Sequence, residues 1–230
     1  MATYVLVHGS FQGGWIWKPL AAKLRAAGHE VYHPTLDGCA ERAGAIRPEI
    51  TLDTQGKEVS GLLLYEDLKD VIMAGTSSGG MVVARAAEMA PDRVRRLVFI
   101  DALVPIPNET VSTINGRPAY PGSELTYGLK PEEVQAKAFA DLPANIRPWA
   151  VARYTRHPRT PTEEAVDLKE FWGRKWQVDV LNCKRSEHPP EAHQRRTAER
   201  LGGKYSEIDA GHYPMLSDTD EIAKYLLAMA

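Results

Sequence analysis

Cysteine is scarce in this chain. Cys39 and Cys183 are the only two in 230 residues, too few for a disulfide framework or a thiolate zinc site. Both are expected as buried thiols, and no metal or other cofactor is expected. Charge of one sign is scarce as well: 28 Lys+Arg stand against 30 Asp+Glu, for a formal net charge of -2. Nucleic-acid backbones are bound by clustered cations, so nucleic acid is not an expected partner. Long apolar runs are missing: none approaches the roughly 20 residues that span a bilayer, so no membrane partner is expected. Met1-Ala2-Thr3 leads straight into apolar residues with no basic segment or cleavage site, which makes a cytoplasmic location the expectation. What remains is a globular composition, 43% hydrophobic and 25% charged. At roughly 150 residues per domain, the length suggests one domain with a sizeable insertion, or two small ones.

Short β-branched runs alternate with helical patterns. Tyr4 to Val7 is strand-like and stops at His8-Gly9. Residues 16–27 carry Trp17, Leu20, Ala21 and Leu24 at helical spacing and end at Gly28. Strands follow at 31–33, 71–74 and 97–100, with helical patterns over 51–64 and 78–90. Such alternation with short connections predicts βαβ units in a mostly parallel sheet covered by helices on both faces, an α/β class. After Pro105 the pattern breaks. Residues 106–175 are rich in proline, aromatics and balanced charge, with helices plausible near 131–140 and 144–155, and read as an inserted cap. Alternation then resumes, with strands near 177–181 and 205–208 and helices near 190–201 and 220–229. The expected organisation is a core of 1–105 and 176–230 with a helical cap at 106–175, inserted after the strand that ends at Asp101.

The sharpest chemical signal is Gly75-Thr76-Ser77-Ser78-Gly79, a G-x-S-x-G placed between a predicted strand and a predicted helix. A nucleophile there stands on a tight strand-to-helix turn, with the free N–H groups of the helix start aimed at developing negative charge. His8-Gly9-Ser10-Phe11 closes the first strand. The backbone amides of Ser10 and Ser78 are the expected oxyanion donors. A serine hydroxyl needs a base, and histidine serves near neutral pH. Of seven histidines, only His212, in Asp209-Ala210-Gly211-His212, follows the final strand, where a loop can return over the sheet edge. His29, His157, His188 and His193 sit in polar or charged contexts and are expected in solvent. The base in turn needs a carboxylate. Asp101 ends an apolar strand, where an unpaired carboxylate is costly, and is the favoured acid. Glu187, in the polar loop after the next strand, is the alternative.

These residues resemble the α/β-hydrolase superfamily, in particular its branch of small bacterial carboxylesterases, plant methylesterases and hydroxynitrile lyases. The resemblance is carried by Val5 to Trp17 (Val-Leu-Val-His-Gly-Ser-Phe-Gln-Gly-Gly-Trp-Ile-Trp), Gly28-His29-Glu30-Val31, Ile50 to Thr54 and Asp209 to His212. It implies an acyl-enzyme route in which Ser77 attacks, His212 relays the proton, the Ser10 and Ser78 amides hold the oxyanion, and water releases the acid. Three positions depart from the pattern. Arg185 stands where many bacterial relatives carry the acid, which points to Asp101; zearalenone lactonases and cofactor-free ring-cleaving dioxygenases carry acids at that alternative position. Thr76 precedes the nucleophile where relatives often have histidine. Gly9 and Tyr213 replace the threonine and lysine of the lyases, so cyanohydrin cleavage is not expected.

The expected activity is serine hydrolysis of a small, largely apolar carboxylic ester or lactone, of the carboxylesterase type. The alternative is a cofactor-independent dioxygenase, or another non-hydrolytic enzyme, using a His–Asp dyad on the same scaffold. Phe11, Leu103, Trp149, Trp172 and Tyr213 are the candidate pocket residues, although each aromatic could instead hold the cap on the core. The Arg153–Arg159 run reads as a solvated face, with binding of an acidic substrate as the other option. The oligomeric state is left open, a homodimer included.

Overall fold

The apolar runs become the strands of one sheet in the computed structural model, which describes residues 1–230. In chain order the strands are β1 (Thr3–Val7), β2 (Glu30–Tyr32), β3 (Val71–Ser77), β4 (Val94–Ala102), β5 (Thr126–Tyr127), β6 (His157–Pro158), β7 (Val178–Cys183) and β8 (Lys204–Ile208). Six of them form a sheet in the order β2-β1-β3-β4-β7-β8, and every neighbouring pair is parallel. β5 and β6 form a separate antiparallel pair. The chain enters at β1, runs out to the edge at β2, and returns past β1 to β3. Loops after β1 and β3 therefore diverge to opposite faces and leave a crevice at the carboxyl ends of the strands.

The strand runs are apolar on both faces, but alternate residues serve different cores. Tyr4, Leu6, Ile72, Ala74, Val98 and Ile100 enter one cluster with α1 (Lys18–Ala26) and α11 (Thr219–Leu227). Val5, Val7, Met73, Leu97 and Phe99 enter the other with α2 (Leu52–Tyr65) and α3 (Gly79–Met89). Each large aliphatic side chain buried this way contributes about 1.5–3 kcal/mol. The start of α2 is fixed locally: Thr51 and Thr54 exchange backbone-to-hydroxyl hydrogen bonds of 2.9 and 3.2 Å, a reciprocal cap.

Between β4 and β7 lie α4 (Val111–Ile114), α5 (Pro131–Lys137), α6 (Arg147–Val151), α7 (Thr160–Glu163) and α8 (Lys169–Gly173), with the β5–β6 pair among them. The two helices expected here are shorter than their patterns suggest, and Phe139 stands at φ 51° just beyond α5. The insertion feeds both cores: Leu168 and Phe171 join one, and Ala138, Phe139, Leu142 and Ala150 join the other. α9 (Glu191–Leu201) and α10 (Pro214–Ser217) complete the chain. No helix is long and apolar enough to cross a membrane.

Candidate active site

β3 ends at Ser77, and α3 begins two residues later. Ser77 holds φ at 52°, a left-handed conformation that costs a non-glycine residue energy and lifts its side chain out of the strand. The turn is possible because its neighbours lack side chains. A Cβ on Gly79 would lie 2.5 Å from the carbonyl oxygens of Val7 and His8, and one on Gly9 would lie 2.5 Å from Ser77 Cβ.

Ser10, in the loop after β1, and Ser78, at the N-cap of α3, are joined by their side chains: the two hydroxyl oxygens are 2.9 Å apart. Ser10 Oγ also lies 3.0 Å from Tyr127 Oη, which lies 3.1 Å from Thr162 Oγ1. Thr162 donates to the Arg159 carbonyl at 3.0 Å. This buried chain of hydroxyls ties the two serines to β5 and α7 of the insertion. Burial pushes the Tyr127 phenol up to about 12, so it keeps its proton at neutral pH.

His212 lies beyond β8, and Asp101 reaches it from β4. The β3–β4 register pairs Thr76 with Ile100 and then Ser77 with Ala102. Asp101 is the unmatched residue, a bulge at φ 46° whose carboxylate is completely buried. His212 Nδ1 donates to Asp101 Oδ2 at 2.5 Å, and the Cys183 N–H reaches Asp101 Oδ1 at 3.4 Å. The His212 backbone N–H donates to Asp141 Oδ2 at 2.8 Å. Burial works against protonation of the ring. The Asp101 hydrogen bond and charge, with the charge of Asp141, outweigh it and hold His212 above the ordinary histidine value. Glu187 makes no bond to the imidazole. It lines a neighbouring cavity of about 530 Å³ with Arg185 and Lys137, and Arg185 itself pairs with Asp209 at 3.4 Å.

Ser77 and His212 line one cavity of about 310 Å³ without hydrogen bonding to each other; such contacts are often long before substrate binds. Ser10, Phe11, Leu103 and Tyr213 share its wall. Two expected lining residues stand elsewhere. Trp149 packs edge-on to Trp15 at 5.3 Å under the Arg153 guanidinium. Trp172 donates its indole N–H to the Pro105 carbonyl at 2.9 Å, beside a different cavity. In both, the ring holds the insertion to the core.

Two histidines expected in solvent are buried. Burial lowers His157 to about 3 and His193 to about 4. His193 Nε2 accepts the Val104 N–H at 3.0 Å, a structural role invisible in its polar sequence context. In the arginine run, Arg156 and Arg159 are paired with Glu124 and Glu163. Sequence reasoning missed Asp141, Tyr127 and Thr162, and also Asn115 and Arg117 on the cavity wall. All five lie in the insertion, where no periodic pattern fixes direction; only Gly116 and Pro118, flanking Arg117, hint at a constrained turn. No group of three or more His, Cys, Asp or Glu is arranged to hold a metal ion.

This geometry can be set beside known proteins. The chain is similar to a carbendazim hydrolyzing esterase of Nocardioides sp. (strain SG-4G), with 45% identity over 105 residues, or 46% of this chain and 43% of that protein. The match thus spans less than half the length of that relative. Similarity to polyneuridine aldehyde esterase of Rauvolfia serpentina is lower, 25%, but covers 97% of this chain and 94% of that one. Among solved structures, an extracellular alpha/beta-hydrolase from a Paenibacillus species superposes with a TM-score of 0.84 at 23% identity, covering 99% of this chain and 98% of the other. That likeness is one of fold. Residues 4–225 match the sequence profile of the alpha/beta hydrolase family, and the chain belongs to that family.

Proposed function

We propose that this protein is a serine hydrolase that cleaves a small carboxylic ester or lactone through an acyl-enzyme. The observation that carries this reading is the pairing of His212 Nδ1 with the buried Asp101 carboxylate at 2.5 Å, on a cavity that also holds Ser77. With Nδ1–H engaged by Asp101, the other ring nitrogen is left as the acceptor. In this mechanism His212 Nε2 takes the Ser77 proton as Oγ adds to the substrate carbonyl. The resulting oxyanion is held by the Ser10 and Ser78 amides. Collapse breaks the bond to the alcohol oxygen, which leaves with the proton from His212. Water then adds to the acyl carbon, gives a proton to His212, and frees Ser77 with release of the acid. Phe11, Leu103 and Tyr213 offer apolar surface to the acyl or alcohol part.

The left-handed conformation of Ser77 lifts its hydroxyl from the strand end to the cavity that also holds His212, the placement a nucleophile needs. The test is covalent. A fluorophosphonate should add one adduct to the intact protein, lost in Ser77→Ala together with on the order of 10⁴-fold or more in kcat. Oxygen-dependent turnover that survives Ser77→Ala would instead indicate the His–Asp dyad chemistry of a cofactor-independent oxygenase.

A further inference from the structure

The wall of the Ser77 cavity has an unbalanced charge. Of its 14 lining residues none is Asp or Glu, and one, Arg117, is a permanent cation. Four other arginines of the insertion are occupied: Arg156 and Arg159 pair with carboxylates, and Arg147 and Arg153 donate to backbone carbonyls. Only Arg174 is, like Arg117, engaged through an aromatic face alone, that of Trp176, away from this cavity. The Arg117 guanidinium carbon lies over the Tyr120 ring, 4.5 Å from its centroid. A guanidinium held by an aromatic ring keeps N–H donors for an anion. Beside it, Asn115 lines the same cavity with a buried amide oxygen that has no hydrogen-bond partner. A buried polar group left unpaired is uncommon and costly, and an amide can turn to present either a donor or an acceptor.

The backbone holds this pair in place. α4 is anchored by buried Val111 and is followed by Gly116, φ 61°, with the Arg117 N–H donating to the Ser112 carbonyl at 3.1 Å. Pro118 then restricts Arg117 to extended backbone. Tyr120 is fixed in turn, its N–H donating to Glu163 Oε1 at 3.1 Å and its carbonyl accepting from Arg159 at 2.8 Å. The guanidinium therefore stands over a ring whose backbone is hydrogen-bonded through both its N–H and its carbonyl.

We propose that Arg117 and Asn115 form an anion subsite, and that the preferred substrates are small esters carrying a second, ionised carboxylate away from the scissile bond. A planar guanidinium edge matches a carboxylate in bidentate fashion. The subsite selects substrate and takes no part in bond breaking. The inference rests on the hydrolase reading above and deepens it by naming the substrate class.

The experiment compares monomethyl with dimethyl esters of succinate, glutarate and adipate, each pair differing in one ionised end. Wild type should prefer at least one half-ester over its diester by on the order of 10- to 100-fold in kcat/KM, mainly through KM. That preference should shrink as ionic strength rises. Arg117→Ala should remove most of it, Arg117→Lys should retain part, and Arg117→Glu should invert it. Each ratio is taken within one protein, so a general loss of activity cancels. Failure of any half-ester to be preferred, or a preference equal in wild type and Arg117→Ala, overturns the subsite. Binding of the same pairs to Ser77→Ala protein by calorimetry reads the subsite without turnover. If no ester is hydrolysed yet half-esters bind more tightly and Arg117→Ala abolishes the difference, the hydrolase reading falls and the subsite stands.

Discussion

Ser77 and Asp101 sit on adjacent strands at one dislocation of the sheet, and both hold left-handed backbone conformations, φ 52° and 46°. The ladder pairs Ser77 with Ala102 and skips Asp101. One irregularity thus raises the hydroxyl at the strand end and turns the carboxylate toward His212.

The proposed mechanism takes Asp101 as the acid, on its contact with His212 Nδ1. Asp101→Asn should lower kcat by on the order of 10³–10⁴-fold, because an amide in its place favours the wrong imidazole tautomer. Glu187→Gln, at a residue that does not touch the ring, should change it less than threefold. Steady-state rates on an aryl ester check both, and comparable losses would contradict the assignment.

The pH profile follows from the charges around His212. The base must be neutral to accept the Ser77 proton, and its pKa is held above the ordinary histidine value. The rate should therefore rise with pH through an inflection above 6.5, not below it. Asp141→Asn keeps an acceptor for the His212 N–H but removes a negative charge, so the inflection should move toward lower pH. A limb that stays put or moves up would show that Asp141 does not act on the ring.

Gly79→Ala tests the elbow. The new methyl would meet two backbone carbonyls at 2.5 Å, atoms that cannot swing aside as a flexible side chain can. A loss of about 2–3 kcal/mol is expected from chemical denaturation, and a neutral substitution would contradict the close approach.

The hydroxyl chain can be cut at Tyr127. Tyr127→Phe removes the link between Ser10 and Thr162 while leaving the Ser10–Ser78 contact. A stability loss of about 1 kcal/mol is expected, with kcat reduced by less than tenfold. Thermal melting and turnover measured on the same samples separate the two effects.

Acid sensitivity has a defined origin. His8 is buried, donates from Nδ1 to the Gly9 carbonyl and accepts the Leu36 N–H on Nε2. Burial lowers it to about 4. The unfolded chain binds the proton near 6.5 and the folded one near 4, so stability is lost as pH falls through that interval. For His8 the loss is on the order of 3 kcal/mol. His8→Gln, which can still accept the Leu36 N–H, should remove its share of the dependence between pH 4 and 6.5 and leave that of the buried His157 and His193.

The strands of the sheet, the Ser77 turn and the position of His212 were legible because each is written locally, as apolar runs, a glycine-flanked serine, or a histidine after the last strand. Asp101 was legible through the cost of burying a carboxylate at the end of an apolar run. The bulge that aims it was not, since a register slip depends on the neighbouring strand. Trp149 and Trp172 were misplaced because an aromatic side chain suits a pocket wall and a packing joint equally well. His157 and His193 were misread because their polar neighbours in sequence are not their neighbours in space. Arg117 and Asp141 act across the fold, and no spacing rule connects them to residue 77 or 212.

The bulge in β4 has a further consequence. In the proposed mechanism the acid is built into the sheet, so strand spacing rather than a mobile connection fixes its distance from the nucleophile. In that mechanism the segment after β7, where Arg185 and Glu187 sit, need not supply the acid, and its contact with the imidazole is Ser186 Oγ, 3.4 Å from His212 Nδ1. Arg185 and Glu187 are free to change in charge, whereas Ser186 stays against the imidazole and His188 and Pro189 stay on the cavity wall.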